Sequence, residues 1–318
     1  MVTSPLIRRA ALPLLAAGLL SCRSLAQQVA DTNYVARVAA PAYVAGAGPV
    51  VLLDEAHSNF HTLDGRYLVF GKVLRQDGYE VRPSRVLFSA QALKAARVLV
   101  IANALHPSNA GAASNWKLPT PSAFTPAEIA AVKDWVQGGG SLLLIADHMP
   151  FPGAAGALAA AFGVQMLNGF AFDSTRKISK FTYTRAGGRL AAHPVTEGRN
   201  AAERIDSVVA FTGQAFRVDA AGRALMTLAA GTLVLEPPIA WQFDDKTPSE
   251  PGAGLLQGAV VPFGQGRVAV FGEAAMFSAQ ATGLLRSPMG MNDPAAPQNA
   301  QFLLNVMHWL TGLLPAGK

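Results

Sequence analysis

The sequence predicts an α/β protein built on a mostly parallel sheet, with an antiparallel hairpin region added. Short apolar runs alternate with segments of helical spacing between residues 49 and 163. These runs are continuous rather than alternating, which is typical of strands buried on both faces of a parallel sheet. A chain of 318 residues with 51% hydrophobic and 14% charged residues can also bury a large core.

The first 26 residues have the pattern of an export signal. Arg8 and Arg9 form a positive region, Ala10–Leu20 is the apolar core, and Ser24-Leu25-Ala26 is a small-x-small cleavage site. The apolar core is too short to cross a bilayer as a stable helix, so no membrane span is expected. We therefore predict a signal peptide at residues 1–26 and a periplasmic or secreted protein.

Cys22 offers an alternative, because Leu19-Leu20-Ser21-Cys22 is a degenerate lipobox that would attach a lipid anchor. Cys22 is the only cysteine, so a mature domain that begins at Gln27 has no disulfide and no thiolate nucleophile.

The net charge does not indicate nucleic-acid binding. The chain carries +6, but Arg8, Arg9 and Arg23 precede residue 27, which leaves 23 basic and 20 acidic residues. The remaining chain has a net charge of +3 and no basic run with interleaved aromatic residues.

The elements of the first half follow from their residue patterns. Residues 27–48 are Ala-rich without a clear period, so we predict a linker, followed by one domain at residues 49–314. Thr125-Pro126-Ala127-Glu128 is a capping-box helix start. The predicted strands are Pro49–Asp54, Tyr79–Pro83, Arg97–Ala104 and Ser141–Ala146, and the predicted helices are Leu63–Asp77, Ser89–Ala96, 125–137 and Gly153–Phe162.

The second half of the chain does not show this regular alternation of predicted strands and helices. Gly264-Gln265-Gly266 joins two strands, Gln257–Phe263 and Arg267–Phe271, as a hairpin. Further short strands are predicted at Phe181–Arg185, Ser207–Phe211, Ala215–Val218 and Thr232–Leu235, then a loop at Ser287–Pro297 and a final helix at Gln298–Leu313. We expect His308 on the solvent face of that helix, and His193 at a structural corner.

Polar clusters follow four of the apolar strands. They are Asp54-Glu55-x-His57, Asn103-x-x-His106, Asp147-His148 and Gly272-Glu273. Ligands of open α/β sheets bind outside the carboxyl ends of the strands, so parallel neighbours would bring these side chains into one crevice. The alternative is that they are ordinary polar turn residues.

Two chemistries fit such a cluster. In the first, His57 or His148 is a general base oriented by a carboxylate, for which Asp147, Glu55 and Glu273 are candidates. Asn59 or Asn103 would donate to a developing oxyanion. The predicted substrate-binding residues are Asp54, Asn59, His61 and Asn103.

In the second chemistry, a divalent metal such as zinc is bound by His57, His61, His148 and Asp147. No other cofactor is predicted. Asp54-Glu55-Ala56-His57 is not a helicase motif, because the chain has no phosphate-binding GxxxxGK[ST] loop. A GxSxG nucleophile elbow is also absent from the sequence.

The order of these motifs resembles the class I glutamine amidotransferase-like superfamily. The resemblance rests on VVLLDEAHSNFH, RVLVIANA, TPAEIAAVKDWVQGGGSLLLIADH, AAHPVTEGR and the closing GRVAVFGEAAMF with NAQFLLNVMHWL. Within the superfamily, the chain is most similar to exported branches related to trehalose-utilisation-like proteins and the gliding-motility-associated accessory domain. The resemblance covers residues 49–314 and implies a flavodoxin-like three-layer sandwich.

The resemblance also limits the chemistry. Amidotransferases carry a cysteine after the strand that corresponds to Ser141–Ala146, whereas this chain has Asp147-His148-Met149. We therefore expect an exported enzyme-like protein that acts on a polar small molecule, a carbohydrate by the resemblance, without cysteine-based amidotransferase activity. The alternative is a non-catalytic ligand-binding or assembly module at the cell envelope.

Overall fold

The computed structural model describes residues 28–111, 113, 116–173 and 180–317. The predicted signal peptide and Cys22 lie outside these residues. In the order of the chain, the elements are β1 (Gln28–Ala30), β2 (Val50–Asp54), α1 (Leu68–Gln76), β3 (Glu80–Ser84), α2 (Ala90–Leu93), β4 (Val98–Ala102), α3 (Pro126–Gln137), β5 (Ser141–Ile145), α4 (Phe151–Ala160), β6 (Val164–Met166), β7 (Phe170–Asp173), β8 (Phe181–Thr184), α5 (Pro194–Glu197), β9 (Ser207–Ala210), β10 (Phe216–Val218), β11 (Arg223–Thr227), β12 (Thr232–Leu235), β13 (Ser249–Pro251), β14 (Leu256–Phe263), β15 (Gly266–Phe271), β16 (Ala279–Thr282), β17 (Ser287–Gly290) and α6 (Asn299–Thr311).

The central sheet has the order β3-β2-β4-β5-β15-β14-β10-β6, and β11 also pairs with β14. The pairs from β3 to β15 are parallel, whereas β14, β10 and β6 pair antiparallel with their neighbours. The structure is therefore mixed α/β. The predicted hairpin is confirmed, since β14 and β15 pair antiparallel around Gly264 and Gln265.

Side chains of the central strands alternate between two hydrophobic clusters, because successive residues of a strand point to opposite faces. Val100 of β4 and Leu143 of β5 belong to one cluster with residues of α1 and α6. Leu99 and Leu142 belong to the other, with residues of α3 and α4. Both faces are covered, which explains why these strands are apolar at nearly every position.

Thr125 begins α3 with the predicted capping box. Its hydroxyl accepts from the Glu128 backbone N–H, and the Glu128 carboxylate accepts from the Thr125 backbone N–H. His193 caps α5 by accepting from the Val195 backbone N–H at 3.2 Å, so the predicted corner is confirmed.

The prediction for His308 was wrong. Its side chain is fully buried, and Nε2 lies 2.7 Å from the Asp77 carboxylate. The polar stripe of α6 faces other parts of the chain rather than solvent, and Asn305 on the same helix donates to the Glu203 carbonyl. A polar side chain can be buried where another part of the chain supplies a hydrogen-bond partner, as for His308 Nε2 and Asn305, and the sequence does not show such partners.

Strands also form in several segments where none is predicted, including the expected linker and one expected loop. Within the expected linker at residues 27–48, β1 pairs antiparallel with β16. Within the expected loop Ser287–Pro297, β17 also pairs antiparallel with β16. None of the helices in the described part of the chain is long and apolar enough to cross a bilayer.

Candidate functional site

Four neighbouring parallel strands deliver polar residues to one edge of the central sheet. β2, β4, β5 and β15 pair in this order, so the four strands that are followed by polar clusters are parallel neighbours. A cavity of about 80 Å³ lies at their carboxyl ends. Five of the predicted site residues line it, namely His61, Asn103, Asp147, His148 and Glu273.

Asn103 lines the cavity and forms hydrogen bonds with two other residues that line it. It directly follows β4 with a φ of 52°, in the left-handed region that Asn tolerates better than most residues. Its Oδ1 accepts from the Asp147 backbone N–H at 2.8 Å. The amide is thereby oriented, so its Nδ2 faces Nδ1 of His61 at 3.2 Å and donates to it.

This contact fixes the tautomer of His61. Because Nδ1 accepts a hydrogen bond, the neutral ring carries its proton on Nε2. Burial, together with the charges of Arg66 and His148, lowers the pKa of His61 to about 3. His61 is therefore a neutral hydrogen-bond donor at neutral pH.

His148 has the opposite tautomer. Its Nδ1 lies 2.8 Å from the Met149 carbonyl oxygen, which can only accept, so Nδ1 carries the proton. The ring stacks on Phe170 with centroids 4.8 Å apart and meets the edge of Trp241 at 4.6 Å. Whenever the ring is unprotonated it therefore carries its lone pair on Nε2, as a general base requires.

Asp147 and Glu273 both line the cavity and interact electrostatically; Glu273 is buried and Asp147 is half-buried. Burial, with the negative charge of Asp147, raises the pKa of Glu273 to about 8, although the backbone N–H groups of Ala275 and Met276 oppose this by donating to its oxygens at 2.7 and 2.8 Å. Burial also raises the pKa of Asp147, while the charge of His148 and backbone hydrogen bonds oppose the rise. Glu273 is accordingly protonated at neutral pH and can supply a proton.

Tyr67, the residue just before α1, holds the turn that carries Glu273. The Tyr67 hydroxyl donates to the Ala274 carbonyl at 3.0 Å, and its ring packs against His61 with centroids 4.6 Å apart. Tyr67 is fully buried. One side chain thus connects the donor histidine with the acidic turn.

His57 is held away from the cavity. Its Nδ1 lies 2.9 Å from Asp54 Oδ1, and its Nε2 lies 2.8 Å from Glu128 Oε1. The rings of Phe88 and Phe124 pack on it with centroids 4.6 and 4.8 Å away. Burial lowers the pKa of His57, but the two carboxylates outweigh it and raise the pKa overall. His57 therefore connects the turn after β2 with the first turn of α3 through these two contacts.

Glu55 and Asn59 do not line the cavity either. Glu55 accepts from the Leu63 backbone N–H at 2.8 Å and pairs with the exposed Arg85. Asn59 accepts from the His57 backbone N–H and donates to Asp54. These residues and Asp54 build the turn that carries His61 to the cavity. The hypothesis that they contact substrate has no support from their positions.

Of the four residues predicted for zinc, His61, His148 and Asp147 line the cavity, whereas His57 does not and is engaged by Asp54 and Glu128. Among the residues that the structure describes, no group of three or more His, Cys, Asp and Glu side chains is arranged to hold a metal ion.

Sequence reasoning missed several residues around the cavity. Trp241 and Phe211 contribute aromatic walls, and Gln280 contributes a buried amide. Trp241 follows no strand with a polar end, and Gln280 lies inside a short strand without a strong sequence signal. Glu128 was recognised as a capping residue, but nothing in the sequence indicated its contact with His57.

Comparison with known proteins identifies structures but no family. No protein-family model and no curated protein matches the chain. The N-terminal domain of mmIFT52 is similar with a TM-score of 0.56 and 13% identity, covering 82% of this chain and 97% of that domain.

Two ThuA-like proteins are also similar to the chain. The one from Bacteroides uniformis has a TM-score of 0.45 and 12% identity, and covers 89% of this chain and 97% of its own. The one from Parabacteroides merdae has a TM-score of 0.42 and 12% identity, with coverages of 83% and 90%. At these identities it is the fold alone that is shown, and this chain shares the fold of the mmIFT52 domain.

Proposed function

We propose that the protein is an acid–base enzyme acting on a polar small molecule of carbohydrate type. One observation carries the proposal: a histidine whose Nε2 has no hydrogen-bond partner among the described residues lines the same cavity as a carboxyl group with a raised pKa. The two groups are His148 and Glu273. Enzymes commonly separate the pKa values of neighbouring groups so that one donates a proton and the other accepts one.

The roles follow from the hydrogen bonds. The Met149 carbonyl holds the Nδ1–H of His148, so its Nε2 would accept a proton from the substrate. Glu273 would return a proton, because burial and then the charge of Asp147 raise its pKa. His61 would donate through Nε2–H to an oxygen that gains negative charge.

A carbohydrate fits the surroundings of these groups. Phe60, Phe211 and Trp241 provide apolar walls beside a few oriented polar groups, which is the usual composition of a small-molecule site. Trp241 also lines a wider groove of about 650 Å³. The small cavity would receive the reacting group, and the groove would receive the remainder of the molecule.

We also propose that the fold is a flavodoxin-like three-layer sandwich of the amidotransferase-like superfamily. The support is the parallel order of β3 to β15 and the two hydrophobic clusters on the two faces of the sheet. Glutamine hydrolysis through a thioester is not part of the proposal. The one cysteine, Cys22, precedes the domain, and Asp147-His148 follow β5.

The pattern in residues 1–26 supports export to the periplasm or beyond, with cleavage after Ala26. Removal of Cys22 with the signal would leave the mature domain without a thiol.

Proton NMR in D2O can test the enzyme proposal without assuming a reaction. Purified protein is incubated with a panel of reducing sugars, aldonolactones and methyl glycosides, and the spectra report hydrolysis, isomerisation and C–H exchange together. We expect turnover of at least one class. His148→Gln and Glu273→Gln should each lower the rate by about 10²- to 10⁴-fold, which is the usual contribution of a general acid or base.

His106→Gln is the matched control, since His106 lies after β4 but does not line the cavity and pairs with Ser108. It should retain full activity. Equal loss in all three variants, or no turnover of any sugar, would refute the enzyme proposal. Sugar binding without turnover would favour the binding-module alternative.

A further inference from the structure

Gln280 contributes a buried amide to the lining of the cavity. It lies on β16, is fully buried, and lines the cavity together with His61 and Glu273. Its Oε1 has no hydrogen-bond partner among the described residues. A buried polar atom without a partner is costly, so such an atom beside a cavity indicates where a ligand binds.

The orientation of this amide is set by its neighbour. The Ser278 hydroxyl donates to the Ala275 carbonyl at 2.9 Å, so its oxygen is left to accept. The Gln280 Nε2 donates to that oxygen at 2.7 Å. Because Nε2 is the amide atom that contacts Ser278, the other terminal atom is the oxygen Oε1, which can only accept a hydrogen bond.

His61 adds a donor to the same space. Its Nδ1 is occupied by Asn103, and no described residue pairs with its Nε2–H. The cavity holds only about 80 Å³, so a single small group inside it comes within reach of both side chains. A hydroxyl group can donate to one and accept from the other, whereas an ammonium group can only donate and a carboxylate can only accept.

We propose that Gln280 and His61 together bind one terminal hydroxyl group of the ligand, with Gln280 accepting and His61 donating. The assignment rests on the proposed function, because it places the substrate in the cavity of the acid–base groups. It narrows the substrate class to molecules that have a terminal hydroxyl group small enough to enter the cavity. The body of this molecule lies along Trp241, which borders both the cavity and the wider groove.

Titration calorimetry with glycerol, D-glucose, D-mannose and D-galactose tests the assignment. At least one of them should bind the wild-type protein. Its fully O-methylated derivative retains the oxygen acceptors and loses the donors, so its binding should be lost. Ethanolamine tests the amine alternative, and preferential binding of ethanolamine would overturn the assignment, as would the absence of binding by all four polyols.

Gln280→Met removes the acceptor with little change of volume. We expect it to weaken binding of the polyol by roughly two- to tenfold, the usual effect of one neutral hydrogen bond. Gln214→Met is the matched control. Gln214 is equally buried and also has an unpaired Oε1, but it donates to the Ala146 carbonyl and does not line the cavity.

The outcomes separate the two proposals. Unchanged polyol binding in Gln280→Met overturns the role of Gln280 and leaves the acid–base function standing. Polyol binding that depends on Gln280, with no turnover of any sugar, supports this assignment and refutes the enzyme. If Gln280→Met does not fold, the comparison of the polyol with its methylated derivative on wild-type protein still tests whether a ligand hydroxyl group donates a hydrogen bond in the cavity.

Discussion

Glu273→Gln replaces a buried carboxyl group with a neutral amide of nearly the same shape, and it should change how stability depends on pH. Burial and the charge of Asp147 raise the pKa of Glu273 from 4.5 to about 8 in the folded protein. Between these values the folded protein keeps a proton that the unfolded chain has lost. Raising the pH therefore favours the unfolded chain, and the wild-type protein loses stability from about pH 4.5 to about pH 8.

The magnitude follows from the width of this interval. Each pH unit is worth about 1.4 kcal/mol of the free energy of unfolding, so by pH 7 the loss is about 3 kcal/mol. The amide of the variant cannot accept from both backbone N–H groups of Ala275 and Met276, which costs about 1 to 3 kcal/mol at every pH. The variant should be less stable than the wild type at pH 5 and as stable or more stable at pH 8.

Urea unfolding at pH 5, 6, 7 and 8 measures this difference. Asp147→Asn is the comparison variant, because removing its charge should lower the pKa of Glu273 and flatten the loss of stability with pH. A stability difference between Glu273→Gln and wild type that stays constant from pH 5 to pH 8 would show that Glu273 is ionised throughout. That result would remove the proton donor from the proposed mechanism.

Two further predictions concern the frame of the site. Asn103→Ala leaves the Asp147 backbone N–H without its acceptor and places alanine at a φ of 52°, so unfolding should become easier by about 2 to 4 kcal/mol. Asn103→Gly, which loses the amide but accepts this φ, should recover about 1 kcal/mol in the same urea experiment, and equal losses would argue against strain. His57→Gln leaves one buried carboxylate unpaired and should cost about 3 to 5 kcal/mol. Because the folded pKa of His57 is raised above 6.5, the cost should be largest below pH 6.5 and shrink as the pH rises from 6.5 through the folded pKa, whereas a cost that grows with pH would contradict the carboxylate contacts.

Sequence patterns located the cavity because parallel strands place their carboxyl ends at one edge. Asn103, Asp147 and Glu273 were each identified as the polar residues that follow an apolar run, and all three line the cavity. The same rule also selected His57 and Glu55, which do not. A residue just after a strand can turn toward the crevice or back toward the next element, and adjacency in sequence does not distinguish the two.

The sequence by itself determined the mixed α/β architecture, the order of polar strand ends and the lack of a cysteine nucleophile. These depend on local periodicity and on residue type, which are present in any conformation of the chain. Only the tertiary structure decided that His57 faces Glu128, 71 residues away, and that Asn103 sets the tautomer of His61. It also decided that Gln280 of β16 completes the cavity. Hydrogen bonds, burial and interactions between charges arise only when folding brings groups together. The protonation state and hydrogen-bonding role of each side chain therefore depend on the tertiary structure.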